Sequence, residues 1–204
     1  MNGIATNVAV ATGLAFLELD AASVGPLLLS RPFVVAPLTG WFLGNAQPGI
    51  IFAILFEALT LEELPLGGCL HVSASIAAGV STWLCVGIAV PLEAAFLCGI
   101  GAGWVHALVE RRLRRTRAVH VQRVEMALAH GLPAQLGAEV SAALALQAVT
   151  TFTVAMFAYF ISAAVVPRYW HFIPQVFRIG VGTAFVVSIW IGAGSLTASL
   201  WRRT

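Results

Sequence analysis

The chain has 204 residues, of which 59% are hydrophobic and only 10% charged, with a formal net charge of +2 at neutral pH and a mean hydropathy of +0.91. That composition excludes a water-soluble globule with a polar exterior and marks an integral membrane protein. A spanning helix takes roughly 20 apolar residues, so the length provides about six or seven crossings in one membrane domain, 1–204, and leaves no room for a separate soluble one.

At the N-terminus, Ile4 to Leu17 and Val24 to Leu29 are short apolar runs separated by Glu18 and Asp20, which make one kinked span or a fold-back. No Lys or Arg precedes Arg31, so Met1 to Ala11 lacks the charged leader of a signal peptide, and this first run is expected to stay in the mature protein. After Arg31-Pro32 come Phe33 to Leu43 and Ile50 to Leu61, each too short to cross a bilayer of about 30 Å as a helix.

Between those pieces stands Gly44-Asn45-Ala46-Gln47-Pro48-Gly49, and Glu57, Glu62 and Glu63 follow it. Unwound backbone and carboxylates in hydrocarbon are costly, and both are normally tolerated only where the protein lines a cavity or a solute path. Residues 1–64 therefore read as a broken-helix region, built from discontinuous helices or a re-entrant hairpin, and point to a transporter.

Residues 65–109 read as a helix pair, Ser73 to Val90 and Leu92 to Val109, split by Pro91. Residues 110–136 follow as a loop and a surface helix. The loop, Glu110 to Arg117, holds five arginines and is placed in the cytoplasm by the positive-inside rule.

From Ala118 to His130, Val121, Val124 and Leu128 recur at helical spacing beside Gln122, Arg123 and Glu125, with Gly131 and Pro133 as a stop signal. This amphipathic helix lies on membrane lipid, aided by the neighbouring arginines, or serves as a solvated connector.

Residues 137–204 form a second pair, Val140 to Val166 and Val176 to Leu200, which places Arg168 and His171 outside and Arg202 and Arg203 in the cytoplasm. With a re-entrant hairpin, Arg31 and Pro65 to His71 also lie on the cytoplasmic side and the N-terminus lies outside. The expected fold is an all-α polytopic membrane helix bundle with discontinuous or re-entrant helices in its N-terminal third.

The run Gly25-Pro-Leu-Leu-Leu-Ser-Arg-Pro-Phe-Val-Val-Ala-Pro-Leu-Thr-Gly-Trp-Phe-Leu-Gly-Asn45, then Pro48 through Glu57, and later Ile173-Pro174, resembles the EIIC permease component of the mannose/fructose/sorbose family of the phosphoenolpyruvate-dependent sugar phosphotransferase system. The resemblance spans Ala15 to Ile191. Asn45 stands where the family's turn usually has an acid, and Leu70-His71-Val72-Ser73 replaces a Pro-Pro-Asp-like stretch.

The resemblance implies a multi-pass component of the bacterial cytoplasmic (plasma) membrane that assembles as an oligomer with the EIID component of the same permease and carries a hexose-type sugar inward. The cytoplasmic phosphocarrier components EIIA and EIIB would then phosphorylate the sugar. An EIIC component would serve transport, would not be an enzyme, and needs no cofactor. Because family members usually continue through further hydrophobic segments, the alternative is a truncated, non-transporting regulatory or scaffold membrane protein derived from such a permease.

A sugar site needs donors and acceptors for vicinal hydroxyls and an apolar surface for the ring. Glu57 is the leading candidate, since the resemblance is anchored on it; its structural alternative is an ion pair with Arg31 or with a partner protein. Asn45 and Gln47 offer the same chemistry but also form an ordinary helix-breaking turn. Asp20 and Glu18 reach the site if the first segment folds inward; their structural alternative is that of solvated acids at a membrane boundary, and Asp20 is the site candidate of the two. His71, next to Ser73, and Trp41, able to stack on a sugar ring or to join the interfacial belt with Trp170 and Trp201, complete the set.

Rival chemistries find little support. Cys69, Cys85 and Cys98 sit in apolar runs as small hydrophobes, and Cys69 with His71 makes a poor metal site. No His-Glu-x-x-His or nucleophile elbow occurs. The basic run is short and explained by topology, so nucleic-acid binding is not indicated. Gly40-Trp-Phe-Leu-Gly44 and Gly99-Ile-Gly-Ala-Gly103 are small-residue motifs suited to close helix packing, with the partner helix left open.

Overall fold

The computed structural model describes residues 3–23, 28–60, 72–130 and 136–201. Outside them lie Gly25-Pro26, Glu62, Glu63, Cys69, His71, Gly131, Pro133, Arg202 and Arg203, and with them most of the Val24 to Leu29 run. Among the described residues every regular element is helical: α1 (Ile4–Ser23), α2 (Pro32–Phe42), α3 (Ala46–Thr60), α4 (Ala74–Ile88), α5 (Leu92–Ala129), α6 (Leu136–Tyr169), a single 3-10 turn at Trp170–Phe172, and α7 (Gln175–Trp201).

The break expected near residue 45 is a tight helical hairpin. Pro32 opens α2 at a position where its missing N–H costs nothing. The chain then reverses through Gly44, whose φ of +90° suits glycine alone among common residues. Asn45 caps the next helix, its Oδ1 accepting the Gln47 N–H at 3.1 Å. The two arms pack so closely that a Cβ on Gly49 would collide with the Ala36 carbonyl. At 11 and 15 residues, about 16 and 22 Å long, neither arm spans a bilayer, so the hairpin is re-entrant in form.

α4 is the hub. Every residue from Ser75 to Leu84 is buried, because the helix is rich in Ala, Gly and Ser and lets its neighbours approach on all sides. Against α5, a Cβ on Gly103 would stand 2.6 Å from the Ser73 carbonyl oxygen, and one on Gly99 would strike Ser81 Oγ. The partner of the Gly99-to-Gly103 motif is thus a helix of the same chain. Trp83 of α4 stacks on Tyr159 of α6 with ring centroids 4.0 Å apart, and its Nε1 donates to Asn7 Oδ1 of α1 at 3.3 Å. Phe52, Phe96 and Phe185 meet edge to face and join α3, α5 and α7.

Two expectations are corrected. The Glu110 to Arg117 stretch is not a loop: α5 runs unbroken for 38 residues, about 57 Å, and includes the amphipathic segment to Ala129. No Gly or Pro interrupts residues 104–130, arginine favours helix, and Glu110 pairs with Arg114 one turn on at 3.1 Å. The helix expected over Ser73 to Val90 is shorter than that run. α4 has 15 residues, about 22 Å, and stops where Ala89 turns left-handed at φ 54° just before Pro91. Among the described residues, the helices long and apolar enough to cross a membrane are Leu92–Ala118 and Gly137–Phe172.

Candidate functional site

Five segments converge at one end of the bundle: the C-terminal part of α1, the N-terminus of α2, the end of α3, the start of α4 and the middle of α5. They enclose an open cavity of about 260 Å³, slightly below the roughly 300–1,000 Å³ usual for small-molecule sites. Its wall is polar. Glu18 comes from α1, Ser30 and Arg31 from the approach to α2, Thr60 from α3, Ser73 and Ser75 from α4, and His106, Glu110 and Arg114 from α5.

At the mouth, the base of the hairpin is clasped. Glu57 of α3 places Oε1 3.4 Å from Arg31 Nη1, while its Oε2 accepts the Phe33 N–H at 3.4 Å. A carboxylate at the first turn of α2 also meets the positive end of that helix dipole. The Glu57 side chain is 23% exposed and Arg31 49%, so the pair is partly open to solvent.

Deeper in, Glu18 accepts hydrogen bonds from Ser75 Oγ at 2.5 Å and Ser73 Oγ at 3.3 Å. Asp20, two residues on, is buried and bonds the chain just before α2 instead. Its Oδ2 accepts the Leu29 N–H at 2.9 Å, and its Oδ1 has no partner among the described residues. His106, which also lines the cavity, is only 2% exposed; its Nε2 lies 3.1 Å from Thr151 Oγ1 of α6, and its Nδ1 is unpartnered among the described residues. Glu110 binds Arg114 and Arg117, and Arg117 reaches Gln147 of α6.

The chain carries this constellation in a recognisable setting. A family model described as the sorbose-specific IIC component of the phosphotransferase system matches residues 4–203. The chain belongs to that family. Comparison with curated proteins finds no match. Among solved structures it is similar to one described only as a membrane protein, with a TM-score of 0.72 and 21% identity over 95% of this chain and 77% of that one. It is also similar to a chain of the mannose transporter ManYZ in complex with microcin E492, with a TM-score of 0.69 and 18% identity over 98% of this chain and 81% of that one. This IIC component is an all-α membrane helix bundle, as its composition requires.

Its sequence-derived candidates do not gather in one place. Glu57 stands beside the cavity, joined to it through Arg31. Trp41, Asn45 and Gln47 sit at the hairpin tip; along α3 (Ala46–Thr60) Asn45 and Gln47 lie about 15–18 Å from Glu57. Trp41 is 71% exposed there, and Asn45 spends its side chain on the turn. Asp20 accepts the Leu29 N–H ahead of α2, and His71 lies outside the described residues.

What sequence reasoning passes over is the inner wall. Glu18 is weighed beside Asp20 but left out of the candidate set, and His106 does not stand out at all. Both carry a readable signal, since each is a polar side chain flanked by apolar residues in a membrane segment.

Proposed function

We propose that this IIC component is the permease of a mannose-type phosphotransferase system, binding a hexose-type sugar and moving it inward for phosphorylation by partner proteins. The observation that carries the reading is the polar cavity at the clasped base of a re-entrant hairpin. Short half-helices that end beside a polar space inside an apolar bundle provide backbone and side-chain groups for a solute without exposing them to lipid. Family membership supports the same reading.

The cavity lies at the arginine-rich end of the bundle, with Arg114 in its wall. By the positive-inside rule that end faces the cytoplasm, where the IIA and IIB phosphocarriers would receive the sugar. Glu57 serves the site by holding Arg31 at the mouth and tying α2 to α3. The IID component is the natural partner for the apolar faces of the outer helices, within the cytoplasmic membrane of a bacterium.

The test is phosphoenolpyruvate-dependent uptake of labelled mannose, fructose and sorbose in bacterial cells lacking their own permeases for these sugars. The chain is expressed with and without the IIA, IIB and IID components. Phosphorylated sugar should accumulate only with the full set, and Glu57→Gln should slow it severalfold. Failure of all three sugars with every component present would replace the permease with a non-transporting scaffold.

A further inference from the structure

Glu57, the carboxylate to which the resemblance points, is committed within the fold. One oxygen is paired with Arg31 and the other accepts a backbone N–H of α2. Glu18 differs in three respects. It lines the cavity directly; its partners are two serine hydroxyls and no cation pairs with it among the described residues; and a carboxylate with about four lone-pair sites keeps some free after two hydrogen bonds.

His106 supplies an independent observation. It is buried to 2% exposure in the same cavity wall, its Nε2 is turned to Thr151, and its Nδ1 has no partner among the described residues. Buried polar atoms are normally satisfied by protein, water or ligand. A buried ring nitrogen without a partner among the described residues and a carboxyl group with spare acceptor sites, both lining one cavity, are groups that hydroxyls of a polyol can complete, one donating to the carboxyl group and another bonding the imidazole.

Resting on the permease reading above, we infer that Glu18 of α1 and His106 of α5 are the primary hydroxyl-binding pair of the sugar site, with Ser73 and Ser75 orienting the Glu18 carboxylate. Ser73 itself is anchored, its N–H donating to the Gly103 carbonyl at 3.2 Å, so α1, α4 and α5 are locked around the ligand. Glu57 is a positioning residue in this arrangement and acts through Arg31.

The experiment is equilibrium binding of labelled mannose, fructose and sorbose to the detergent-purified full chain together with its IID partner, with thermal unfolding recorded in parallel. Glu18→Gln keeps the volume and replaces one carboxyl oxygen with an amide NH2. His106→Gln retains a group near the Nε2 position for Thr151 and removes Nδ1. Each variant should lose roughly 10- to 100-fold in affinity, the range for a buried hydrogen bond to a charged or desolvated group, while the midpoint of unfolding without sugar stays near that of the parent chain.

Glu18→Asp should recover part of the loss. Affinity that stays within threefold of the parent in both Glu18→Gln and His106→Gln overturns the assignment and leaves the permease reading standing. Affinity loss that tracks a fall in unfolding temperature also overturns it, by reducing both residues to structural roles. No binding of any of the three sugars by the parent complex sinks the permease reading and this assignment together.

Discussion

α4 and α7 are both apolar helices of one bundle, yet they live in opposite surroundings. α4 buries every residue from Ser75 to Leu84, whereas Phe185 is the buried residue of α7 among those described. The same contrast separates the long helices: 44% of the apolar window of Leu92–Ala118 is buried inside the chain, against 17% for Gly137–Phe172. Hydrophobicity does not tell these faces apart, because lipid is as apolar as a protein core. What distinguishes α4 and α5 is small residues at the contact, which let backbones approach, and polar groups that find partners in neighbouring helices. α6 and α7 instead present Phe157, Phe177 and Trp190 outward.

The sharpest way to break this contrast is a pair of tryptophan truncations. Trp83→Ala should lower stability by about 3 kcal/mol through lost packing and the cavity left behind, together with the bond to Asn7. Trp190→Ala, at a side chain 74% exposed, should leave the unfolding transition of the purified chain nearly unmoved. Equal losses in a thermal or detergent titration would contradict the inside and outside assigned to these helices.

Next in size is a glycine pair on one helix. Gly99→Leu forces a side chain into Ser81 and the Ala77 carbonyl, whereas Gly101 has open space at the same point. Overpacking predicts a loss of about 2 kcal/mol for Gly99→Leu and little for Gly101→Leu; stability measured on the two variants side by side decides it.

Smaller effects distinguish the two ends of the hairpin. At the tip, Asn45→Ala removes the cap of α3 and should cost about 1 kcal/mol, without changing sugar binding by the purified complex. At the base, Arg31→Ala breaks a partly exposed ion pair, worth about 0.5 kcal/mol in stability, yet should slow sugar uptake severalfold because the mouth of the cavity loses its cation. An uptake defect larger at the tip than at the base would move the site to the other end of the hairpin.

Much of this is legible in the amino-acid sequence. The half-length apolar runs and the Gly44-Asn45 break predict the hairpin, since turn chemistry is local and a glycine at positive φ or a capping Asn announces itself. The ion pair between Glu57 and Arg31, one of the two roles open to that glutamate, is present at 3.4 Å. The arginine run misleads because charge density suggests a loop, while helix propensity and the Glu110 pairs carry α5 straight through it. Glu18 is left undecided between site and boundary for a different reason. Its serine partners lie more than fifty positions away along the chain, and no local pattern discloses such a meeting.

Residence in a membrane, the broken N-terminal third and the family followed from the chain's composition and motifs, because these depend on transfer of side chains into lipid and on backbone preferences of a few adjacent residues. Which carboxylate faces the cavity, and which glycines meet a neighbouring helix, was decided only when the helices packed. Those outcomes are set by the crossing of surfaces distant in sequence, in a solvent where apolar residues are equally at home on either side.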